Sequence, residues 1–366
     1  MSASKLGVGI IGVQPGRSFS AIAHIPALRA LPQYEIVALS TTRRASAEAA
    51  AREFGVARAY DNAAALVADP AVNLVVVTVK VPNHLELVTA AANAGKAVYC
   101  EWPLGNGLAE AEKMAQLAKV KGVPAAIGLQ ARSAPAVNYV RDLVAQGYVG
   151  EVQSTTLIGS GLNWGAVMEA PNEYTADKKN GATLLSIPFG HTIDALCYAL
   201  GEVREVTALL ANRRTKVTMV ETGRQIPLTT EDQLVVGGRL DSGAVLAVHY
   251  RGGMNRGTGL LWEINGSEGD LQLTAFGGHA QLFDLSLRGG KGQDQALQPL
   301  EIPAKYRWAP PLEGFAFNVA QAYVHFAADI RDGTHLCPGF DEAVTRHRLL
   351  AAVESSAASG KRVTVE

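Results

Sequence analysis

The first 130 residues alternate short apolar runs with helical stretches, and this alternation is the strongest constraint on the fold. The run Asn73–Val79 reads NLVVVTV, a pattern typical of a strand buried on both faces of a parallel sheet. Such strand–helix alternation predicts a parallel sheet with helices on both of its faces. The predicted strands are Leu6–Gly12, Tyr34–Leu39, Asn73–Val79, Ala97–Cys100 and Ala125–Leu129, and the predicted helices are Ala21–Leu31, Ser46–Phe54, His84–Ala94 and Leu108–Lys121.

The pattern changes near Gly150, where strands follow one another without intervening helices. Turn sequences such as Asp241-Ser242-Gly243 join several of them, which indicates a mainly antiparallel sheet. The predicted strands are Val152–Ser160, Glu205–Leu210, Asp232–Leu240, Ala244–Tyr250, Leu261–Asn265 and Gly269–Leu273; the predicted helices are His191–Leu200, Phe315–Arg331 and Asp341–Ala358, and Gly289–Gln298 is predicted to be a loop.

These patterns predict an α/β chain of two domains. Residues 1–131 should form a dinucleotide-binding Rossmann domain, which is a doubly wound parallel sheet. Residues 132–366 should form a substrate-binding and oligomerisation domain, an α/β domain with a large, mainly antiparallel open sheet. The C-terminal helices could pack back on the first domain.

Composition argues against several classes of function. Hydrophobic residues make up 48% of the 366 residues and charged residues 18%, which suits a globular protein with a large core. A net charge of −1 provides no basic surface for nucleic acid or an anionic membrane, and no apolar run approaches the roughly 20 residues of a membrane span. Cys100, Cys197 and Cys337 lack metal-ligand spacing, so we expect no metal, no disulfide framework and a cytoplasmic protein.

A loop with glycines follows the first predicted strand. It reads Gly12-Val13-Gln14-Pro15-Gly16-Arg17-Ser18 and precedes a helix, which is where Rossmann domains bind the pyrophosphate of a dinucleotide. The loop is longer than the G-x-G-x-x-G fingerprint, so an ordinary strand-to-helix turn is the alternative. The predicted cofactor-binding residues of this loop are Gly12, Gln14, Pro15, Gly16, Arg17 and Ser18.

The end of the second predicted strand bears on the choice of cofactor. Sites that prefer NAD place an acidic residue there to hold the ribose diol. This chain has Ser40-Thr41-Thr42-Arg43-Arg44 instead. Hydroxyl groups followed by arginines suit a 2′-phosphate, so we predict NADP, with NAD or a solvated basic turn as alternatives. The predicted contacts are Ser40, Thr41, Thr42 and Arg43.

Four motifs occur in order along the chain. They are His24-Ile25-Pro26-Ala27-Leu28, Pro82-Asn83-His84, Glu101-Trp102-Pro103 and Gly190-His191-Thr192-Ile193-Asp194. Together they resemble the glucose–fructose oxidoreductase, inositol dehydrogenase and rhizopine catabolism (Gfo/Idh/MocA) family. The resemblance implies a nicotinamide cofactor and a homodimer or homotetramer formed through the C-terminal sheet.

Two catalytic groups of that family are replaced in this chain. The family motif is Glu-Lys-Pro, and Trp102 stands in place of the lysine that helps hold the substrate hydroxyl and the nicotinamide. The family aspartate four residues before the histidine is matched by Ile187, with Ser186 before it and a one-residue insertion. Val79-Lys80-Val81-Pro82 and Gln130-Ala131-Arg132-Ser133 are most similar to the branch of the yeast galactose-regulon repressor, a non-enzymatic member that uses its dinucleotide in a protein–protein switch.

His191 and Lys80 are the candidate catalytic residues. His191 follows a glycine near a predicted helix start, where a neutral imidazole could shuttle a proton; a hydrogen-bonded interior histidine is the alternative. Lys80 ends an apolar strand at the carboxyl edge, where doubly wound folds bind ligands. It could replace the missing family lysine, or be a solvated strand end beside the ribose.

Further contacts are expected from residues after the later strands of the first domain and from a long segment of the second. For Arg132 the alternative is a domain-interface ion pair, and for Trp102 it is a core tryptophan. The predicted cofactor contacts are Val79, Lys80, Val81, Asn83, His84, Glu101, Trp102, Gln130 and Arg132, and the predicted substrate contacts are Trp102, Trp164, Tyr174 and His191.

These residues together favour an oxidoreductase. We expect an NADP(H)-dependent enzyme that transfers a hydride to or from a carbinol carbon of a sugar, cyclitol or cyclic diol. The alternatives are a non-catalytic dinucleotide-binding regulator or sensor, which the two replaced groups favour, and a hydrolase or lyase that uses bound dinucleotide for transient oxidation. Neither nucleic acid nor a membrane is expected as a partner.

Overall fold

The computed structural model describes residues 5–366 and divides into two compact units. The first unit combines the chain up to Gln130 with Trp308–Thr345. The second unit combines Ala131–Arg307 with Arg346–Glu366. The chain therefore leaves the first unit, builds most of the second, returns to the first and ends in the second.

Strands and helices alternate up to Gln130, and strands predominate beyond it. The elements up to Gln130 are β1 (Leu6–Ile11), a π-helical turn (Ser20–His24), α1 (Ile25–Ala30), β2 (Tyr34–Ser40), α2 (Arg44–Glu53), β3 (Arg58–Tyr60), α3 (Ala63–Ala68), β4 (Leu74–Val77), α4 (His84–Asn93), β5 (Ala97–Glu101), α5 (Leu108–Lys121) and β6 (Ala125–Gly128). From there to Arg307 follow α6 (Pro135–Ala145), β7 (Val152–Ser160), β8 (Val167–Met168), a second π-helical turn (Leu185–Phe189), α7 (Gly190–Leu200), β9 (Val203–Ala211), β10 (Lys216–Met219), β11 (Gln225–Pro227), β12 (Gln233–Leu240), β13 (Val245–Arg251), β14 (Leu260–Gly266), β15 (Gly269–Ala275), β16 (Ser286–Lys291) and β17 (Gln298–Pro299). The last elements are α8 (Ala316–Asp332), α9 (Phe340–Ser359) and β18 (Val363–Thr364).

The first unit contains a six-stranded parallel sheet in the order β3-β2-β1-β4-β5-β6. The strand order reverses between β1 and β4, the topological switch point where open α/β sheets bind ligands. The predicted Rossmann fold is confirmed. The short edge strand β3 and helix α3 were not predicted, because three and six residues are too few for a clear periodic pattern. The strand predicted over Asn73–Val79 ends at Val77.

The second unit contains a nine-stranded sheet in the order β17-β16-β15-β14-β7-β13-β12-β9-β18. Only β7 and β13 are parallel neighbours, so the predicted mainly antiparallel sheet is confirmed. The loop predicted over Gly289–Gln298 is wrong at its start, because Gly289 pairs with Leu271 within β16. A Cβ at Gly289 would lie 2.7 Å from a methyl of Leu300, so glycine at this position leaves room for packing. Helix α6 was not predicted, and β8, β10 and β11 form a separate three-stranded sheet.

Helix α8 completes the core of the first unit. Its Tyr323 and Phe326 are buried, and their rings lie 4.7 and 6.1 Å from the ring of Tyr99 on β5. The Tyr34 hydroxyl donates to the Tyr323 carbonyl oxygen at 2.8 Å. A helix distant in sequence therefore supplies large apolar side chains to the Rossmann core.

The structure also bears on disulfides, membrane spans and metal sites. Cys100, Cys197 and Cys337 are buried free thiols. Across residues 5–366, no helix is long and apolar enough to cross a membrane. Within the same range, no cluster of three or more His, Cys, Asp or Glu side chains is arranged to hold a metal ion.

Phe326→Ala should lower the free energy of unfolding by about 3–5 kcal/mol, because it leaves a cavity between α8 and β5. Chemical denaturation followed by circular dichroism measures this change. Val120→Ala, at a side chain that is 68% exposed on α5, serves as the control and should change stability by less than about 0.5 kcal/mol. Equal effects of the two substitutions would contradict a structural role for α8 in the first unit.

Candidate functional site

Gly12 brings three strand ends of the first unit together. Its φ is +99°, and a Cβ there would lie 2.6 Å from a methyl of Val79 and 3.3 Å from the Thr78 backbone. The Gly12 N–H donates to the Ser40 carbonyl at 3.0 Å. Only glycine fits this left-handed, crowded position, so the loop after β1 lies close to the ends of β2 and β4.

The next part of this loop is held by its own serines. The Gln14 N–H donates to Ser18 Oγ at 2.9 Å, and Ser18 Oγ lies 2.7 Å from Ser20 Oγ. Ser18 therefore shapes the loop from inside, which corrects its predicted role as a phosphate contact. Gln14 and Arg17 are exposed and Pro15 is half-exposed. Gly16 has a φ of +67° with open space where a Cβ would project, so the loop leaves its outer surface uncovered.

The arginines after β2 have different surroundings. Arg44 donates to Glu48 at 2.7 Å and to the Ala59 carbonyl at 3.1 Å. Arg43 is exposed, and its guanidinium makes no hydrogen bond or ion pair with the described part of the chain. Of these two arginines, Arg44 is paired with a carboxylate of the described chain and Arg43 is not. The adjacent Thr42 is exposed as well.

Two other predicted ribose contacts lie further inside. Ser40 is buried and contributes its carbonyl oxygen to Gly12, so direct contact of its hydroxyl with a cofactor is not supported. Thr41 Oγ1 lies 2.6 Å from Ser46 Oγ and donates to the Arg43 carbonyl at 3.0 Å. These two residues shape the turn after β2.

His84 joins the loops after β4 and β5. Its Nε2 lies 2.9 Å from the Val79 carbonyl oxygen, and its Nδ1 lies 3.0 Å from that of Pro103. Burial lowers the pKa of His84, opposed by these carbonyl contacts. His84 is buried, as is Val81, so the predicted cofactor contacts through these two side chains are corrected to a supporting role.

Lys80 lies three residues beyond the end of β4 and is exposed. The prediction that it ends a buried strand is therefore wrong, because β4 stops at Val77 and a short 3-10 turn begins at Val81. Val79 is half-buried beneath Gly12, and Asn83 is exposed. Lys80 and Asn83 thus present polar side chains at the carboxyl edge of the sheet.

Glu101 ends β5, and its carboxylate is held by Gln130, whose Nε2 donates to Glu101 Oε1 at 2.6 Å. Gln130 itself is buried, so its amide contacts the Glu101 carboxylate from the interior. Trp102 is only 4% exposed, which leaves little indole surface for the predicted stacking on a cofactor or substrate. Its location matches the alternative of a core tryptophan.

Arg132 belongs to an ion-pair network within the second unit. Its Nε and one terminal nitrogen both lie 2.7 Å from the Asp194 carboxylate. The fully buried Arg346 contacts the same carboxylate at 3.1 Å and also binds Glu202. Burial acts to raise the pKa of Asp194, but the two guanidinium groups hold it below its usual value. Arg132 is thus engaged by Asp194 within the second unit, and its predicted cofactor contact stays a prediction.

His191 lies in the first turn of α7 and is buried. Its Nδ1 has no hydrogen-bond partner among residues 5–366. Burial and, to a smaller extent, His279 lower the pKa of His191 to about 3, opposed by Asp194. The imidazole is therefore neutral at physiological pH, as expected, but such a low pKa makes it a weak proton acceptor. The expected role of His191 as a proton shuttle stays a prediction.

The other predicted substrate contacts of the second unit differ in exposure. Trp164 is 1% exposed and has a φ of +62°, which is rare for a large side chain. Tyr174 is half-buried, and burial raises its pKa. Trp164 is thus part of the core of its unit, whereas Tyr174 retains surface for a ligand.

The helix that carries His191 begins with the π-helical turn Leu185–Phe189. A π-helical turn accommodates one residue more than an α-helical turn, and it lies where the family resemblance implies a one-residue insertion. Ser186, next to the position of the family aspartate, donates its hydroxyl to the Gly181 carbonyl at 2.7 Å and accepts the Thr183 N–H at 2.8 Å. Ser186 therefore anchors the turn.

Three polar residues of these surroundings were not among the predicted site residues. His24 Nε2 lies 3.0 Å from Glu101 Oε1, and His24 Nδ1 lies 2.7 Å from the Tyr323 hydroxyl. In the second unit, His279 Nε2 accepts the Leu162 N–H at 3.2 Å. The motif that contains His24 was a usable signal, whereas no local pattern marks Tyr323 or His279.

Known proteins resemble both units. Residues 6–129 match the model of the oxidoreductase family with an NAD-binding Rossmann fold, and residues 135–275 match that of the C-terminal domain of Gal80p. The chain is 29% identical to the dehydrogenase aclE of Aspergillus oryzae, over 98% of this chain and 97% of that protein. It is 28% identical to levoglucosan dehydrogenase of Pseudarthrobacter phenanthrenivorans, over 73% of each. A crystal structure of a Gal80p super-repressor mutant from Saccharomyces cerevisiae superposes with a TM-score of 0.89 at 22% identity, over 99% of this chain and 98% of that one.

His191→Gln should reduce the loss of stability in mild acid. The imidazole is neutral when buried and takes up a proton on unfolding below its unfolded pKa of 6.5. The stability it contributes is thus complete above about pH 6.5 and is lost as the pH falls toward 3. Between pH 7 and 5 the wild type should lose about 2 kcal/mol more than the variant, measured by urea denaturation.

His249→Gln is the matched control for this comparison, because His249 is exposed on β13. It should retain the wild-type dependence of stability on pH. A His191→Gln variant with the same pH dependence as the wild type would contradict the low pKa.

Proposed function

We propose that this chain is an NADP(H)-dependent dehydrogenase or reductase of the Gfo/Idh/MocA oxidoreductase family, whose model with an NAD-binding Rossmann fold matches residues 6–129. It transfers a hydride to or from a carbinol carbon of a sugar, cyclitol or cyclic diol. The observation that carries this proposal is the similarity to the dehydrogenase aclE along nearly the whole length of both chains. Levoglucosan dehydrogenase, a relative named for an anhydrosugar, supports the substrate class.

The loop after β1 fits a dinucleotide. A left-handed Gly12 in contact with Val79 and an open space above Gly16 leave backbone uncovered at the switch point of the sheet. The exposed residues Gln14, Arg17 and Asn83 surround the same edge. When bound, a nicotinamide dinucleotide supplies the hydride acceptor or donor.

Arg43 supports the choice of NADP. Its guanidinium is exposed and unpaired within residues 5–366, three residues beyond the end of β2, where NAD-preferring sites have a carboxylate. A guanidinium binds a phosphate with charge-assisted hydrogen bonds. Arg44 is engaged by Glu48, so Arg43 is the residue that selects the 2′-phosphate.

The hydroxyl proton of the substrate needs a residue to receive or supply it. Lys80, exposed at the carboxyl edge after β4, is the proposed polarising group in place of the lysine that Trp102 replaces. His191 is neutral, and its Nδ1 lacks a hydrogen-bond partner in the described chain. We assign His191 to binding a substrate hydroxyl, since its low pKa makes it a poor base.

A regulatory role is the second candidate function. The match of residues 135–275 to the Gal80p C-terminal domain favours it, and so does the replacement of the family lysine by Trp102. In such a role the chain binds the dinucleotide as a signal and performs no hydride transfer.

The chain is further proposed to form a homodimer or homotetramer through the nine-stranded sheet. Leu209 of β9 and Val235 of β12 are neighbours in register and are 62% and 43% exposed. Val245 of β13 is 54% exposed. Exposed apolar side chains on adjacent strands are typical of association surfaces.

Arg43→Ala should weaken binding of NADPH about tenfold to a hundredfold and leave binding of NADH nearly unchanged, because it removes charge-assisted contacts with the 2′-phosphate. Nicotinamide fluorescence titration measures both affinities. Arg52→Ala removes the same charge from an exposed position of α2 and is the control. Equal weakening of the two cofactors would contradict the assignment of Arg43.

Nicotinamide absorbance over a panel of sugars, cyclitols and cyclic diols should reveal turnover with at least one of them. Lys80→Ala should then lower kcat by about 10²–10⁴, the usual contribution of a proton-transferring side chain. Lys119→Ala, at an exposed site on α5, should not. Tight dinucleotide binding without any turnover would instead support the regulatory function.

A further inference from the structure

The carboxylate of Glu101 lies in a space left by the neighbouring strand β6. Glu101 pairs in register with Gly128 at the end of β6. A Cβ at Gly128 would lie 2.5 Å from Glu101 Oε1 and 2.8 Å from Gln130 Nε2. Gly128 thus leaves the space in which the carboxylate lies and in which the Gln130 amide reaches it at 2.6 Å.

His24 approaches the same carboxylate oxygen and links it to a tyrosine. Its Nε2 lies 3.0 Å from Glu101 Oε1, and its Nδ1 lies 2.7 Å from the Tyr323 hydroxyl. The Nδ1–Tyr323 contact is a hydrogen bond, whereas Nε2 approaches Oε1 at ion-pair distance but does not form a hydrogen bond with it. The His24 and Tyr323 side chains are fully buried, and Glu101 is 14% exposed.

We infer that His24 and Tyr323 are positioning residues that hold Glu101 Oε1 inward and so present the second carboxylate oxygen at the sheet edge to a ribose hydroxyl of the dinucleotide. The inference rests on the proposed binding of a dinucleotide. The contacts of this carboxylate with Gln130 and with His24 are both made by Oε1. A carboxylate can accept about four hydrogen bonds, so Oε2 retains capacity for a hydroxyl donor.

His24 and Tyr323 come from distant parts of the sequence. His24 ends the π-helical turn that follows the loop after β1, whereas Tyr323 lies on α8, which reaches the first unit from the far end of the sequence. The orientation of Glu101 therefore depends on both the start and the return of the chain within the first unit.

Tyr34 offers a matched control for Tyr323. Both hydroxyls belong to the same buried aromatic cluster, with ring centroids 5.4 Å apart. The Tyr34 hydroxyl donates to a backbone carbonyl at 2.8 Å, whereas the Tyr323 hydroxyl contacts His24. Each Tyr→Phe substitution removes one buried hydroxyl. Tyr34→Phe removes a hydrogen bond to the Tyr323 backbone, whereas Tyr323→Phe removes the hydroxyl that contacts His24.

The test measures the NADPH dissociation constant of the full chain by nicotinamide fluorescence, with thermal unfolding recorded for each variant. Tyr323→Phe and His24→Leu should weaken binding about tenfold, and Tyr34→Phe by less than about twofold. His24→Gln keeps an amide donor near the position of Nε2 and should recover most of the affinity. Gly128→Ala, which displaces the carboxylate, should weaken binding about as much as Glu101→Gln.

A double-mutant cycle separates positioning from general stability. In a Glu101→Gln background, His24→Leu should change the dissociation constant by less than about twofold, because the group that it positions has lost its charge. Equal weakening by His24→Leu in both backgrounds, or by Tyr34→Phe and Tyr323→Phe, would overturn the inference. If His24→Leu does not fold, the comparison of Tyr323→Phe with Tyr34→Phe, together with the affinity of His24→Gln, still tests the inference. If the wild type binds no dinucleotide, the proposed function is overturned as well. If it binds the dinucleotide but the effects of His24→Leu and Glu101→Gln are additive, only this inference is overturned.

Discussion

The contacts of the His84 imidazole fix the geometry on which the candidate site of the first unit depends. One ring nitrogen lies against the Val79 carbonyl and the other against that of Pro103. The loops after β4 and β5 are thereby held at a set separation. Because Val79 also packs under Gly12, the same ring indirectly supports the loop after β1. A buried imidazole thus contacts the two loops that carry or follow the more exposed residues Lys80 and Glu101.

The electrostatics of the second unit follow from burial. Asp194 is fully buried, and a carboxylate there is tolerable only because Arg132 and Arg346 both contact it. His191, three residues before it, receives no such compensation at Nδ1 from the described chain and stays neutral. The helix that carries the family histidine therefore offers a hydrogen-bonding group in place of a strong base. In the proposed reaction, proton transfer is therefore assigned to Lys80.

The two candidate functions share a binding site and differ in the step after binding. Similarity to dehydrogenases and to Gal80p coexists in one chain. Trp102 replaces the family lysine, and the exposed Lys80 and Arg43 are the proposed proton donor and the proposed cofactor-selecting charge. In this proposal, binding of the dinucleotide and its use in chemistry depend on different residues.

The sequence alone determined the strand–helix alternation, the switch to a mainly antiparallel sheet and the edge at which the cofactor motifs lie. These features depend on local periodicity and on turn residues that follow the strands in sequence. Tertiary structure decided which motif residues point outward: His84, Ser40 and Trp102 are buried, and Arg132 is bound by Asp194. It also brought Tyr323 to His24 across 299 positions. Burial and pairing between distant segments leave no periodic signal, because they arise only when the sheet edge and the returning helix pack together.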